Sequence, residues 1–331
     1  MLRGPMLRTL LLANVVALVA AGPVAAGPSY LFQTLPDFPT AIQTLPSDIN
    51  NAGQIVGTAT VLLGQGVVRH GFVLIGGTYT QIDYNTAFGT FATGINAGGD
   101  IVGGNTFSPG GFLLSGGTFS QVTVPIGTVF AAEGINDAGQ IVGILDNNTS
   151  FLKTGISATP LPTYPGAAAT VAFDINNLGQ VVGASEFISP LRPDRGFLLS
   201  GGNLFRLNLP GDDLPGGDVS ANGINDVGMI VGCFGCFNVS SGDGFLDIGG
   251  SFFQVDFPGG VGTQVEGINN LGQIVGYYTD GSEVHGFLAT PSPDGIPLPP
   301  IPGGVTSVPE ATTLTLLSLG LAGLGFSRRK Q

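Results

Sequence analysis

The chain has no tryptophan, only two cysteines and two histidines, and few charged side chains. Charged residues form 10% of the sequence, well below the roughly 25% of ordinary soluble proteins. No Ser-His-Asp arrangement, phosphate-binding glycine loop or His-Glu-x-x-His pattern can be recognised. The sequence therefore predicts neither catalytic residues nor a cofactor, with calcium as the one alternative considered below.

Basic residues are also scarce. Ten Lys and Arg residues oppose 22 Asp and Glu residues, which gives a formal net charge of −12. Half of the basic residues lie near the two termini, so the body of the chain is more acidic than the whole. A field of this sign repels phosphate backbones and excludes nucleic acid as a partner.

Glycine and apolar residues are abundant. The sequence contains 56 glycines, 23 prolines and 43% hydrophobic residues, a mixture typical of many turns and few helices. High glycine and proline content signals disorder only where no period is present, and this chain has a period. At 331 residues it is long enough to bury a large core.

The N-terminus has the pattern of a secretory signal. Arg3 and Arg8 precede the apolar run 10–21, and small residues at 24–26 suit a signal peptidase. We predict a signal peptide over 1–26 with cleavage after Ala26, and cleavage after Ala21 is the alternative. The apolar run is too short to span a bilayer, which disfavours an anchor helix.

The C-terminus carries an apolar stretch, 312–326, between a short motif and a basic end. As a helix it would be roughly 22 Å long, marginal for a bilayer core of about 30 Å. Positive charges hold such an end in the cytoplasm, so the body would face outward. We predict a transmembrane sorting helix within 308–331. Its motif and basic end are Val308, Pro309, Glu310, Arg328, Arg329 and Lys330.

This segment resembles a PEP-CTERM sorting signal, which has a Val-Pro-Glu-Pro motif, a Gly/Leu-rich helix and an Arg-rich end. Ala311 replaces the second proline, and the helix contains Gly-Leu-Ala-Gly-Leu-Gly over 320–325. The resemblance implies a Gram-negative bacterium that makes exopolysaccharide. It also implies exosortase as a processing partner, with display at the cell surface or in the extracellular matrix. A permanently retained anchor is the alternative.

One phrase, with Asn at its first position and Gly at its fourth, recurs six times at spacings of 40 to 49 residues. Asn and Gly at these positions are typical of a type I turn in a tight hairpin. An apolar Ile-Val-Gly type run follows the turn. The turns begin at Asn50, Asn96, Asn136, Asn176, Asn225 and Asn269.

Each turn phrase is followed by a Gly-Phe-Leu type strand, and in most copies by a Gly-Gly turn and a further strand. In the last strands apolar residues such as Phe253 and Val255 alternate with polar ones such as Gln254, the mark of one buried face. The strand phenylalanines are Phe72, Phe112, Phe151, Phe197, Phe245 and Phe287.

Four short strands in about 44 residues predict one blade of a β-propeller. We therefore predict an all-β fold, a six-bladed β-propeller over 29–290, joined to the tail by a Pro/Gly-rich linker, 291–307. The last copy lacks its final strand, and residues 30–36 resemble the missing phrase, so the two ends should complete one blade. An open β-solenoid is the alternative.

The repeat resembles the HAF repeat of predicted extracellular bacterial proteins, a Gly-Ile-Asn-Asn-x-Gly-Gln-Val-Val-Gly turn followed by His-Ala-Phe. Here the second motif is His-Gly-Phe, at His70 and His285 only. The resemblance brings no known activity. Absence of tryptophan excludes the Trp-Asp propeller family.

Three small groups of residues could carry chemistry. His70 and His285 occupy a repeat position that varies freely in other copies, so a structural role is favoured over a metal pair. Cys233 and Cys236 predict a disulfide in an exported protein, with free thiols or half a metal site as alternatives. Asp212, Asp213 and Asp218 could hold calcium, although a solvated loop is the simpler interpretation.

The sequence thus predicts an exported, non-catalytic surface or matrix protein that binds or structures exopolysaccharide or envelope components. A propeller hydrolase or lyase acting on an extracellular polymer is the alternative, and a purely structural matrix protein is a third hypothesis. Binding is expected at loops between blades, such as 184–195 and 211–218.

Overall fold

The structure is a computed structural model that describes residues 27–301, apart from 65, 85–88, 107–108, 147, 187–193, 210–216 and 236–241. Within these residues every assigned element of secondary structure is a β-strand, which confirms the all-β prediction. Across this part of the chain no helix is long and apolar enough to cross a membrane. The predicted signal peptide, 1–26, and sorting segment, 308–331, lie outside the described residues.

The strands form groups of four antiparallel neighbours, which we call units and number along the chain. Before unit 1 lies β1 (Ser29–Thr34). Unit 1 contains β2 (Ala41–Ile49), β3 (Ile55–Leu63), β4 (Gly66–Ile75) and β5 (Thr78–Ile82). Unit 2 contains β6 (Thr90–Ile95), β7 (Ile101–Asn105), β8 (Phe112–Ser115) and β9 (Thr118–Gln121). Unit 3 contains β10 (Val129–Ile135), β11 (Ile141–Leu145), β12 (Ser150–Thr154) and β13 (Ser157–Pro160).

The remaining units follow the same order. Unit 4 contains β14 (Ala169–Ile175), β15 (Val181–Glu186), β16 (Arg195–Ser200) and β17 (Asn203–Arg206). Unit 5 contains β18 (Val219–Ile224), β19 (Met229–Phe234), β20 (Asp243–Ile248) and β21 (Ser251–Val255). Unit 6 contains β22 (Gly262–Ile268), β23 (Ile274–Thr279), β24 (Val284–Pro291) and, from the start of the chain, β1. A short last strand is β25 (Ile296–Pro297).

The turn chemistry read from the sequence is present. In the first turn the backbone N–H of Gly53 donates to the carbonyl of Asn50 at 3.0 Å, and Gly53 has a φ of 74°. Between β4 and β5, Gly76 and Gly77 have φ values of 55° and 83°, as the two central residues of a type I′ turn require. Both hairpin predictions are confirmed at these positions.

A second glycine lies in the strand that follows each turn, opposite the phenylalanine of the next strand. This pairing explains why the turn phrase and the phenylalanine phrase recur together. Gly183 in β15 pairs with Phe197 in β16. A Cβ at Gly183 would lie 1.9 Å from the carbonyl oxygen of Val171 and 2.9 Å from the Phe197 ring. The phenylalanine ring thus packs over a strand that only glycine allows to come so close. All six strand phenylalanines are fully buried.

The units are arranged in a closed circle. The first strand of each unit contacts the first strand of the next, and β22 contacts β2. Apolar side chains fill the space between adjacent units, so that Val182 of unit 4 packs with Ala221 and Ile224 of unit 5. Because the circle closes, the open solenoid alternative does not describe these residues.

The two ends of the domain meet in unit 6, as the sequence predicted. β1 pairs with β24 over five positions, from Tyr30 opposite Pro291 to Thr34 opposite Phe287. Tyr30 is 2% exposed and packs in the core of this unit. The N-terminal strand therefore covers an edge that β24 would otherwise present to solvent.

The first part of the segment that the sequence assigned to a linker is folded onto the domain. β25 pairs with β1, and the backbone N–H groups of Gln254 and Ile301 bond to the carbonyls of Pro299 and Phe252, each at 2.9 Å. Leu298 is 3% exposed in the core that contains Tyr30. Proline lacks an N–H but retains its carbonyl acceptor, so a Pro-rich segment can still bond along an edge.

Candidate functional site at the centre of the circle

The six turn asparagines lie together at one end of the central channel and form what we call the asparagine ring. Each is buried, with 3% to 6% of its surface exposed. Each donates through Nδ2 to the backbone carbonyl of the asparagine in the next unit, at 3.0 to 3.3 Å. The bonds run in one direction around the circle and return from Asn269 to Asn50.

A ring asparagine can use all four hydrogen-bonding positions of its amide, as Asn136 does. Its Oδ1 accepts from the backbone N–H groups of Ala138 and Gln140 at 3.1 and 3.0 Å. Its Nδ2 donates to Gln140 Oε1 at 2.8 Å and to the carbonyl of Asn176 at 3.0 Å. In Asn225 the second Nδ2 donor lacks this side-chain acceptor, because a methionine stands four residues later. Most of the ring's amide groups are thus occupied by bonds within the protein.

The residues that follow the ring asparagines form a second, outer set of bonds. Side-chain oxygens at this position accept the backbone N–H of the preceding unit, for example Asp137 Oδ1 from Ala97 at 2.8 Å. Ala97 itself has no side-chain oxygen, so this set is interrupted at unit 2. Asp226 accepts bonds from Asn177 and Asn270. Burial acts to raise the pKa of Asp226, but these bonds outweigh it and the pKa is lowered.

Two carboxyl groups lie just inside the ring, on opposite sides of the circle, and we call them the carboxyl pair. Asp48 of unit 1 accepts from the N–H groups of Ile49 and Ile95 at 2.7 and 2.9 Å. Asp174 of unit 4 accepts from the equivalent N–H groups, those of Ile175 and Ile224, at the same two distances. Glycine occupies this position in the other four units.

Burial decides the ionisation of the carboxyl pair. It raises the pKa of Asp48 to about 8, with a further contribution from the charge of Asp174. It raises the pKa of Asp174 to about 6, against the bonds from Ile224 and Ile175 that lower it. Because the two carboxyls interact, ionisation of one disfavours ionisation of the other.

A β-bulge precedes this position in the first strand of every unit. The bulged residues include Glu133 and Glu266, in units 3 and 6, and burial raises the pKa of each to about 8. In Glu266 a bond to Tyr277 partly offsets this rise. Thr93 and Asn222, at the same position, donate to backbone carbonyls of the next unit at 2.8 and 2.9 Å. Bulges re-aim side chains, and here two of them tie adjacent units together.

The residues singled out in the sequence lie away from this centre. His70 bonds to Asp83 at 2.9 Å, and His285 lies 3.7 Å from Asp280. Among the residues that the structure describes, no group of three His, Cys, Asp or Glu side chains could hold a metal ion. Asp218 accepts from the backbone N–H of Asp194 at 2.8 Å, whereas Asp212 and Asp213 lie outside the described part of the chain.

The other predicted residues are tested only in part. Cys233 is 2% exposed at the end of β19, but Cys236 lies outside the described residues, so the disulfide remains a prediction. The sorting residues of 308–330 and most of the loops 184–195 and 211–218 also lie outside. Sequence reasoning missed the carboxyl pair, although Asp in place of Gly before Ile-Asn in two copies was a visible signal.

The cavity at the ring encloses about 60 Å³, against roughly 300 to 1,000 Å³ for pockets that hold small ligands. It has room for a few water molecules. Many of its polar groups are bonded to each other, and the carboxyl pair is held by backbone N–H groups. The arrangement can fix the circle of units.

Several solved structures are similar to this chain. Virginiamycin B lyase from Staphylococcus aureus is 9% identical over 79% of this chain and 98% of its own, with a TM-score of 0.47. The β-propeller domain of the Trilobed protease from Pyrococcus furiosus is 8% identical over 81% and 99%, with a TM-score of 0.47. A mutant of AofleA from Arthrobotrys oligospora is 11% identical over 84% and 91%, with a TM-score of 0.48. Likenesses this remote carry no argument about activity.

No curated protein matches the chain. Residues 307–330 match the PEP-CTERM protein-sorting motif, in agreement with the resemblance noted in the sequence. The motif implies an exported protein that is sorted at the membrane of a Gram-negative bacterium and processed by exosortase.

Proposed function

We propose that the domain is a six-bladed β-propeller in which each unit is one blade. The support comes from the chain itself: six hydrogen bonds of the asparagine ring close on each other, and the first strands contact in cyclic order. The assignment of the units to the HAF repeat belongs to the same proposal and rests on the turn and His-Gly-Phe phrases.

The propeller acts as a non-catalytic surface or matrix protein that binds or structures exopolysaccharide or envelope components. The observation that carries this proposal is the closed ring of hydrogen bonds from each turn asparagine to the backbone of the next unit, combined with the sorting motif. Amides that are used in this way serve to hold the circle rigid. Export then places a rigid, acidic domain among extracellular polymers.

The rival hypothesis, an extracellular hydrolase or lyase, has one observation in its favour. The carboxyl pair places two acidic groups inside the ring, and glycoside hydrolysis uses two such groups. Each carboxyl is held by two backbone N–H groups, which leaves little freedom for attack or proton transfer. We therefore favour the non-catalytic role.

The test uses the full-length chain, purified in detergent and incubated with exopolysaccharide isolated from the producing cells. We expect retention on the polymer with no release of reducing sugar. Release of sugar that disappears in an Asp48→Asn/Asp174→Asn variant would establish the enzyme instead. Absence of both retention and release would reject both hypotheses.

Export and C-terminal processing are tested separately, by mass spectrometry of both termini of the chain recovered from cells. We expect an N-terminus created after Ala26 and a C-terminus cut within 307–330. A Pro309→Ala/Glu310→Ala variant should keep an intact C-terminus. If the unmodified chain also keeps its tail, processing by exosortase is wrong and the segment is a permanent anchor.

A further inference from the structure

A cavity of about 300 Å³ opens on the side of unit 1, away from the asparagine ring. It lies between residues 38–40, which lead into β2, and the side chains of His70, Tyr79 and Gln81 on β4 and β5. Its size reaches the roughly 300 Å³ at which pockets begin to hold small ligands. We call it the His70 cavity.

An aromatic wall forms one side of the His70 cavity. The Phe38 ring lies stacked on the His70 ring, with centroids 6.5 Å apart and planes at 18°, and meets Tyr79 edge-on at 5.4 Å. The backbone N–H of Phe38 donates to Thr44 Oγ1 at 2.9 Å, which fixes its position. Rigid aromatic faces suit ligands with apolar C–H surfaces.

Some of the polar groups of the cavity are bonded to one another. Asp83 accepts from His70 Nδ1 at 2.9 Å and from Gln81 Nε2 at 2.5 Å. Tyr79 donates its O–H to the carbonyl of Pro36 at 2.6 Å. His70 Nε2, the Oε1 and second N–H of Gln81, and an oxygen lone pair of Tyr79 remain for a ligand. A ligand that fits these groups can both donate and accept hydrogen bonds, and the nearby carboxylate of Asp83 disfavours an anion.

Thr40, on the rim, has a backbone conformation that its side chain disfavours. Residues Phe38 to Ala41 form a turn closed by a 3.0 Å bond, with Pro39 and Thr40 at its centre. Thr40 has a φ of 66°, where a type II turn prefers Gly and a β-branched residue is an outlier. Strain of this kind tends to mark functional positions, and Thr40 is one of the residues that line the cavity.

A second cavity, of about 380 Å³, lies on the other side of the same segment. It is lined by Asp37, Gln43, Glu283 and His285, and His285 occupies the same repeat position as His70. Its carboxylates can only accept hydrogen bonds when ionised. The two cavities are lined by neighbouring parts of the segment 37–43, and each contains a histidine and a glutamine, so both suit a ligand that donates and accepts hydrogen bonds.

We propose that these two cavities form a binding site for neutral, hydroxyl-rich sugar chains, with the His70 cavity and its neighbour holding adjacent sugar units. Sugar hydroxyls can both donate and accept, as these polar groups require, and the C–H face of a sugar ring packs on Tyr79, which is more exposed than the buried Phe38 behind it. This site rests on the proposed function, since it presupposes that the domain binds polysaccharide. It adds the place of binding, on the side of the propeller.

The test measures binding of the full-length chain in detergent to an array of neutral glucans, galactans and mannans, followed by titration with the best glycan. A His70→Ala/Gln81→Ala variant should raise its Kd on the order of ten-fold, as expected for lost hydrogen bonds. The matched control is Gln254→Ala, which removes an equivalent bond, Gln254 to Asp256 at 2.6 Å, in unit 5. Its Kd should stay unchanged.

Thr40→Gly gives a second variant that cannot fail through misfolding, because glycine suits the turn. It should match or exceed the stability of the original chain and bind the glycan less tightly. Equal binding by all variants would overturn this site while leaving the proposed function intact. Binding of spermine in place of every glycan would overturn the sugar assignment, and no retention on any polymer would overturn the proposed function as well.

Discussion

Asn269 donates a hydrogen bond through Nδ2 to the carbonyl oxygen of Asn50, at 3.0 Å and across 219 residues of sequence. The five other bonds of the asparagine ring join consecutive units, and this one joins the last unit to the first. A local turn signal, repeated six times, thus also closes the whole domain, because each turn asparagine bonds to the turn of the next unit.

Asn136→Ala tests the ring. The substitution leaves the N–H groups of Ala138 and Gln140 and the carbonyl of Asn176 without their partner. Since each buried unsatisfied group costs about 1 to 3 kcal/mol, we expect the free energy of unfolding to fall by about 3 kcal/mol. Chemical denaturation measures it. The control Asn203→Ala, at the exposed first residue of β17, should stay within about 0.5 kcal/mol.

Gly183→Ala tests the packing of phenylalanine over glycine. The added methyl group would lie 1.9 Å from the carbonyl of Val171 and 2.9 Å from the Phe197 ring. We expect a loss of about 3 kcal/mol or more, at the upper end for overpacking, seen as a lower thermal midpoint. Gly66→Ala is the control, since a Cβ there meets nothing closer than 3.8 Å. Equal effects would mean that the close approach is not what selects glycine.

Tyr30→Ala tests closure by the N-terminal strand. Tyr30 is 2% exposed in the core of unit 6, whereas its neighbour Leu31 is 51% exposed. Removal of a buried aromatic side chain costs about 3 to 5 kcal/mol, so we expect that loss for Tyr30→Ala and less than about 1 kcal/mol for Leu31→Ala. The measurement is urea unfolding of the two variants. A small effect of Tyr30→Ala would mean that the other units are stable without a tight closure.

The buried carboxyls make stability depend on pH. Burial raises the pKa of Asp48, Glu133 and Glu266 to about 8 and that of Asp174 to about 6. A group with a raised folded pKa stabilises most below its unfolded pKa, about 4, and loses that contribution as the pH rises through its folded value. We therefore expect the free energy of unfolding to fall by on the order of a few kcal/mol between pH 5 and pH 9.

Denaturation midpoints at pH 5, 7 and 9 measure this fall. Asp48→Asn should flatten the profile because it removes one of the groups that must ionise. The exposed Asp294→Asn should leave the slope as it was. A profile that rises from pH 5 to pH 9 would contradict the burial of these carboxyls in the folded state.

The parts of the structure that sequence predicts are those with a local cause. Asn and Gly at fixed positions specify the turns. The glycine that lies opposite each buried phenylalanine, such as Gly183 opposite Phe197, specifies the packing of β3 on β4 and its equivalents. Closure by β1 was also predictable, since residues 30–36 repeat the phrase that the last unit lacks. These features depend on residues close in sequence or on a repeated pattern.

The remainder depends on distances between units. Asp48 and Asp174 look like ordinary turn residues until the circle places them opposite each other. His70 gains its role from Asp83, which directly follows β5, and from Phe38, which lies in the segment before β2. Pro299 looks like a linker residue because its carbonyl bond to Gln254 crosses from the end of the chain to unit 5.

The chain enters and leaves the domain at the same place, because the N–H of Leu298 donates to the carbonyl of Pro28 at 3.0 Å. A mechanical load applied to the tail would first meet the backbone bonds of Ile301 and Pro299 to β21, and then the two pairs between β25 and β1. Units 1 to 4 carry force only after this seam, which involves strands of units 5 and 6, has opened. A molecule tethered through this tail would unfold first at the seam, while the other units stayed folded.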